Sequence, residues 1–197
     1  PPNWNTAPTQ EVYVMTEGPK IEIMRWGLIP TWAKSDFVSA HTINARSESV
    51  HEKPSFRQAF KSRRCFIPAD GYYEWATELG RFPSKQPFFI QRADSRALAM
   101  AGVYENGTVA IITKEATGSL AEIHHRMPLF LPDSEWKRWL DPQLSDESAL
   151  RTIISEGLSP EQAHLVADPI SMRVNKIANN GAELILPIEL GEQQTLL

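Results

Sequence analysis

A chain of 197 residues, 42% hydrophobic and 22% charged, has the composition of an ordinary globular protein and is long enough for one substantial core. A formal charge of −4 excludes a generally basic nucleic-acid binder, and no apolar run approaches the roughly 20 residues that a membrane-crossing helix needs. The single cysteine, Cys65, excludes an internal disulfide and suits a reducing compartment.

Charge is unevenly spread along the chain. Residues 20–64 hold nine Lys/Arg against four Asp/Glu. An acidic chain can therefore present one cationic face to a polyanion, or scatter those charges around its surface.

The expected elements run as follows. Residues 12–15 and 21–26 read as strands about a Gly18-Pro19 turn. SFRQAFK (55–61), just after Pro54, reads as a short helix. Residues 65–67, 71–76, 87–92, 98–104 and 108–113 are rich in aromatic and branched side chains and read as strands, with Asn106-Gly107 marking a hairpin between the last two. Asp133-Ser134 is positioned to cap a helix over 135–140, and Ser145-Asp146-Glu147 to start another that ends at Gly157. Residues 182–186 are expected to return as a last strand. Strands that mostly precede helices, joined by short links, predict a single α+β domain with a mainly antiparallel, barrel-like sheet and peripheral helices.

Three blocks carry groups capable of chemistry. In GYYEWA (71–76), alternation places Tyr72 and Glu74 on one face, Tyr73 and Trp75 on the other. A carboxylate among aromatic rings loses hydration, which raises its pKa towards the proton-transfer range. The plainer reading is a solvated glutamate on a half-buried strand. In INARSES (43–49), Asn44, Arg46 and Glu48 share a face. Asn offers a donor and an acceptor, and Arg a planar fork that fits phosphate. The alternative is a surface Arg46–Glu48 ion pair. In IHHRMP (123–128), expected as loop because Pro128 follows closely, His124 can shuttle protons near neutral pH, with Arg126 beside it. His125 reads as an exposed loop histidine. No metal is expected, because Glu122, His124 and His125 do not follow the helical zinc spacing.

Cys65 opens the apolar run CFIP and reads as a packed small hydrophobe, although Arg63 and Arg64 beside it could activate a thiol. Asn5, Pro8, Trp26 and Trp32 flank the basic region. Exposed, such aromatic and proline side chains stack on unpaired bases; buried, they are core. Trp26 continues the strand-like IEIM and reads as core, whereas Trp32, beyond Pro30 and beside Lys34, reads as exposed.

The succession NTAP, RWGLIPTW, INARSE, KPSFR, RRCFIPADGYYEW, QPFFI, AGVYE, IITKEA, IHHRMP and GAELILP covers nearly the whole chain and resembles the SRAP (SOS-response-associated peptidase) family. The resemblance implies a single SRAP-like domain over 1–197 that captures abasic sites in single-stranded DNA without a cofactor. The family's initiator methionine is removed autocatalytically, and the exposed N-terminal cysteine closes a thiazolidine on the abasic sugar. By motif position, Asn44 would orient the cysteine or the sugar, Glu74 would transfer protons, and His124 would assist ring opening and Schiff-base chemistry. Arg46 would grip phosphate; Asn5, Pro8, Trp32, Thr113 and Arg126 would contact or border DNA.

The family's Met-Cys-Gly-Arg start is absent from the sequence, which opens Pro1-Pro2, so its omission or disorder is expected. IHHRMP also places His125 where an acidic residue is common in the family. The remaining expectations are a monomer, no membrane association, and a cytoplasmic location at damaged DNA. Two rivals are a binding module without catalysis and a hydrolase working through Glu74 and His124.

Overall fold

The computed structural model describes residues 2–18, 20–33, 41–77 and 82–190. Pro19 and Lys34, which enter two of the expectations above, lie outside them. Strands β1 (Glu11–Thr16) and β2 (Lys20–Trp26) form an antiparallel hairpin, with Tyr13 opposite Ile23. Strand β3 (Asn44–Arg46) is followed by α1 (Arg57–Ser62), β4 (Arg64–Ala69), β5 (Gly71–Trp75) and β6 (Pro87–Arg92). The long hairpin β7 (Leu98–Glu105) and β8 (Thr108–Glu115) turns at Asn106 and Gly107, whose φ values of 48° and 68° are the paired positive angles of a type I′ turn. Then come β9 (Arg126–Pro128), α2 (Asp133–Leu140), α3 (Glu147–Ser155) and β10 (Leu165–Pro169).

Among the described residues the strands make a larger sheet in the order β2-β1-β4-β7-β8-β3, with β9 also on β8, and a smaller sheet β10-β6-β5. The larger sheet curls into a ring. Its ends meet where β2 runs parallel to β8, with Arg25 opposite Thr108 and Trp26 opposite Val109. The expected α+β domain with a largely antiparallel, barrel-like sheet is therefore observed. The parallel exceptions are β2–β8 and β3–β8.

Alternation along the ring sorts its side chains into two clusters. Val14, Met24, Cys65, Ile67, Met100, Val109 and Ile111 pack together with Phe88 and Ile90 of the small sheet. Phe66, Ala101, Val103, Ala110 and Ile112 point the other way and pack against the helices, with Phe60, Trp139, Leu150 and Ile153 fully or almost fully buried there. Cys65 takes the packing role expected of it; it is inaccessible, and burial pushes its thiol pKa well up. The three-residue strand β3 exists because β8 offers it a partner: Asn44, Ala45 and Arg46 pair with Ile111, Ile112 and Thr113. Gly71 permits the β5–β6 approach, since a Cβ there would lie 2.3 Å from the Phe89 ring and 2.7 Å from the Ile90 carbonyl.

Three local expectations are corrected, and one strand was not foreseen. Residues Ala182–Ile185 form a 3-10 turn rather than a strand; beyond it the chain makes only the isolated bridge Ile170–Pro187. Asp133 lies inside α2, whose N-cap is Pro132 and which has no side-chain cap. Its charge still favours the positive helix start. Arg126–Pro128 of IHHRMP is strand, because β8 pairs with it. Strand β10 was not foreseen, since LVADP ends in a proline. Asp146 does cap α3, accepting from the Ala149 N–H at 2.7 Å. Among the described residues no helix is long and apolar enough to cross a membrane.

Candidate active site

An open cleft of roughly 1460 Å³ runs from the mouth of the ring to the small sheet. Asn44 and Arg46 of β3, Glu74 of β5, Thr113 of β8 and His124 before β9 all line it, as do Pro8 and the N-terminal residues Pro2 to Asn5. Sequence blocks about 30 and 50 residues apart meet here because β3 and β9 both pair with β8 while β5 closes over the opening.

Glu74 is the group most altered by its surroundings. Burial raises its carboxyl pKa from 4.5 to about 7, partly offset by the hydrogen bond it accepts from the Trp75 N–H at 3.1 Å. The expected alternation holds: Tyr72 packs against the ring cluster while Tyr73 packs on Phe89, Ile170 and Val174. The outcome is a carboxyl poised to give or take a proton at neutral pH, not a solvated one.

His124 Nδ1 lies 3.7 Å from Glu74 Oε2, with both side chains 24% exposed. This separation is too long for a hydrogen bond but within reach of charge coupling. The Arg126 N–H donates to Nδ1 at 3.1 Å. The Arg126 carbonyl is 3.2 Å from the same atom, but would need a proton on Nδ1. An amide is a donor in every protonation state, so Nδ1 accepts and the neutral ring carries its proton on Nε2.

Arg46 and Asn44 are exposed and flank buried Ala45, as alternation predicts. Among the described residues the Arg46 guanidinium makes no ion pair or side-chain hydrogen bond. The alternative Arg46–Glu48 pair does not form, because Arg126 takes Glu48. Its Nη1 and Nη2 donate to the two carboxylate oxygens at 2.7 and 2.9 Å, and Nη2 also donates to the Thr113 carbonyl at 2.6 Å. Arg126 thus clasps β3's following turn to β8, the buried Thr113 serves as part of that clasp, and both residues also line the cleft. The pair holds the Glu48 carboxyl well below its usual value, to about 2. A group with a depressed folded pKa adds stability above about 4.5 that is lost as pH falls towards about 2. Glu48→Gln is expected to flatten stability over this acid range, as thermal melts at several pH values would show; an unchanged pH profile would count against the clasp.

Asn5 lies in the cleft wall. It is buried, and its Nδ2 donates to the carbonyls of Val174, Lys176 and Asn179 at 3.0, 3.2 and 3.1 Å, so it braces the cleft wall with its donors already engaged. Trp4 is fixed nearby: its N–H donates to Asn180 Oδ1, and Tyr73 donates its hydroxyl to the Trp4 carbonyl at 2.5 Å. Sequence reasoning missed this bracing, along with Asn175, which accepts from Trp75 Nε1 at 2.8 Å on the cleft rim. Nothing local could signal either contact. Pro8 and Trp32 are exposed, Trp32 by 60% with its Nε1 donating to the Pro54 carbonyl. Trp26 is half-buried against the core, its Nε1 donating to the Ile43 carbonyl. Among the described residues no three His, Cys, Asp or Glu side chains converge as a metal-ligand set.

The curled sheet with a carboxyl–imidazole pair at an open cleft defines an α+β protein with one candidate active site. The chain belongs to the SRAP family, SOS response associated peptidase, whose family model matches residues 1–177. It is similar to the abasic site processing protein YoqW of Bacillus subtilis (strain 168), with 38% identity covering 93% of this chain and 85% of that protein. The abasic site processing protein YedK of Escherichia coli (strain K12) is 32% identical over 94% of this chain and 84% of its own. HMCES of Gallus gallus, also an abasic site processing protein, is 34% identical over 85% of this chain and 57% of its own. In three dimensions the chain resembles a protein from Bacteroides thetaiotaomicron with a TM-score of 0.79 and 28% identity, covering 92% of this chain and 82% of that one.

Proposed function

We propose that this protein captures abasic sites in single-stranded DNA, and that it does so covalently through an N-terminal cysteine belonging to a segment before Pro1. The observation that carries this reading is Glu74: a carboxyl with a pKa of about 7, next to His124, in a cleft whose wall includes residues Pro2 to Asn5. Residues Pro2 to Asn5 line the same cleft as the proton-transfer pair. The relatives named for abasic site processing support the choice of substrate.

The cysteine amine adds to the aldehyde carbon of the ring-opened deoxyribose, giving a carbinolamine. Protonated Glu74 donates to the departing hydroxyl, which leaves as water, and a C=N bond forms. The thiol adds to that carbon, its proton is released, and the thiazolidine ring closes. The net change is a condensation that loses one water, with no oxidant or reductant. His124 serves ring opening, its Nε2–H facing the sugar oxygen while Arg126 fixes Nδ1. Asn44 orients the cysteine or the sugar. Arg46 holds a phosphate without reading a base, so damage and not sequence is selected. Pro8 and Trp32 border the strand. The same cysteine is freed by removal of the initiator methionine, the self-processing that the family name describes. The protein acts as a monomer in the cytoplasm, where damaged DNA is reached.

The test is a denaturing gel of full-length protein, native N-terminus included, with single-stranded DNA carrying one abasic site. A heat-stable shifted band that is lost when the N-terminal cysteine becomes alanine is expected. Binding without any band would replace this reading with that of a non-covalent binding module. Turnover of a small ester or peptide by the sequence shown, abolished by Glu74→Ala, would replace it with hydrolysis.

A further inference from the structure

Three large apolar side chains of the first hairpin remain outside the core. Alternation along β1 and β2 sends Val12, Val14, Met24 and Trp26 into the ring cluster and leaves Tyr13, Ile21 and Ile23 on the opposite face. They are 62%, 54% and 60% exposed, too much for a packing role. Tyr13 stands directly opposite Ile23, and Ile21 follows two residues away on the same face of β2, opposite Met15. The result is one continuous apolar strip, and such a strip marks a surface that meets something. Among the described residues the Tyr13 side chain makes no hydrogen bond and no ring contact, so its ring is open to a ligand.

All three side chains line the cleft that holds Arg46, Glu74 and His124. Arg46 is a cation there without an ion-pair partner among the described residues. At the end of the strip Glu11 stands opposite exposed Arg25, so its negative charge has a cation across from it. An apolar strip and an unpaired cation in one cleft match a ligand that carries flat apolar faces along a chain of negative charges. Single-stranded DNA has that chemistry, whereas a duplex keeps the same faces stacked inside. A second copy of the chain fits less well. The strip belongs to the wall of a cleft, and three side chains fall far short of the roughly 800 Å² per partner that a stable interface buries.

We infer that Tyr13, Ile21 and Ile23 form a stacking platform for the unpaired bases that flank the lesion, with the Tyr13 ring as its main contact. The inference rests on the DNA-binding reading and gives it a source for its preference for single strands. Stacking uses the face of a base and not its hydrogen-bonding edge, so the platform accepts any sequence. It also adds affinity without neutralising a phosphate, which separates its contribution from that of Arg46.

The experiment is fluorescence anisotropy of the full-length protein with two labelled strands of equal length. One is lesion-free oligo-deoxythymidine. The other is built of tetrahydrofuran units, which keep the phosphates but carry neither bases nor an aldehyde. Tyr13→Ala is expected to weaken binding of the first by about 5- to 50-fold, with the salt dependence unchanged, and to leave binding of the second as in the wild type. Tyr13→Phe, which keeps the ring, is expected to bind both as the wild type does. An alanine variant that binds oligo-deoxythymidine normally, or one that loses both strands alike, overturns the inference and leaves DNA binding standing. So does a phenylalanine variant as weak as the alanine one. Light scattering that finds a wild-type dimer and a Tyr13→Ala monomer assigns the strip to a second copy instead. No binding of either strand by the wild type defeats the DNA-binding reading and this inference together.

Discussion

Glu74→Gln is expected to slow crosslinking at neutral pH by about 10²–10⁴-fold and, at the same time, to stabilise the fold in mild alkali. Glutamine keeps the shape of the side chain and can still accept from the Trp75 N–H, but it has no proton to give to a departing hydroxyl. In the wild type, the rate is expected to fall as pH rises through about 7, because the buried carboxyl then loses the proton it donates. The stability effect has the opposite sign. A carboxyl whose folded pKa is raised from 4.5 to about 7 binds its proton more tightly in the folded state, so stability falls as pH climbs between these values. The variant escapes that loss, about 3 kcal/mol above pH 7. Urea unfolding near pH 5 and pH 8 reads the stability arm, and single-turnover crosslinking over the same range reads the other. A variant as fast as the wild type, or one whose stability falls just as far with pH, would remove Glu74 from its assigned role. On the proposed function, the fold keeps this unfavourable carboxyl for the proton it supplies.

The second large effect is structural. Arg64 is 2% exposed and donates to four carbonyls: Nε to Trp139 at 2.7 Å, Nη1 to Phe60 and Lys61 at 2.9 and 2.7 Å, and Nη2 to Asp141. Phe60 and Lys61 lie in the last turn of α1, Trp139 in that of α2, with Asp141 its C-cap. One cation therefore satisfies the free carbonyls at two helix ends, where the partial negative charge of both helices collects. Burial still lowers its pKa to about 10, so it stays charged under ordinary conditions. Arg64→Ala would strand those carbonyls and open a void beneath Trp139, costing about 3–5 kcal/mol. Arg64→Lys, with a single ammonium in place of a planar fork, is expected to fall between the two. Urea midpoints decide it. A loss below about 1 kcal/mol for the alanine variant would mean that the helix ends find other partners.

The sequence showed the strands well where burial imposes a pattern. Residues 98–104 and 108–113 hold apolar or branched side chains around an Asn-Gly turn, and only one geometry fits that combination. The cleft groups Asn44, Glu74 and His124 were legible for a different reason, the order of motifs resembling the SRAP family. What failed was non-local. Arg126–Pro128 becomes strand only because β8 supplies partners, and residues 182–186, beside which no strand lies among the described residues, do not become one. The Arg126–Glu48 clasp joins positions 78 apart, and nothing near Arg126 indicates that its fork is taken. Whether Asn5 is buried could not be read from its neighbours, because its acceptors lie near the other end of the sequence.

This last placement has a consequence for how the protein comes into being. Asn5 binds carbonyls 169 to 174 residues further along the chain, so its contacts, like that of Trp4 with Asn180, close very long loops. A ribosome must deliver Val174, Lys176 and Asn179 before Asn5 has acceptors and before the wall carrying Trp4 can set. Until then the ring, its helices and even the Glu74–His124 pair can be assembled with one side of the cleft unfinished. A group as reactive as an amine–thiol pair would thus be brought into position only after Asn179 has been delivered.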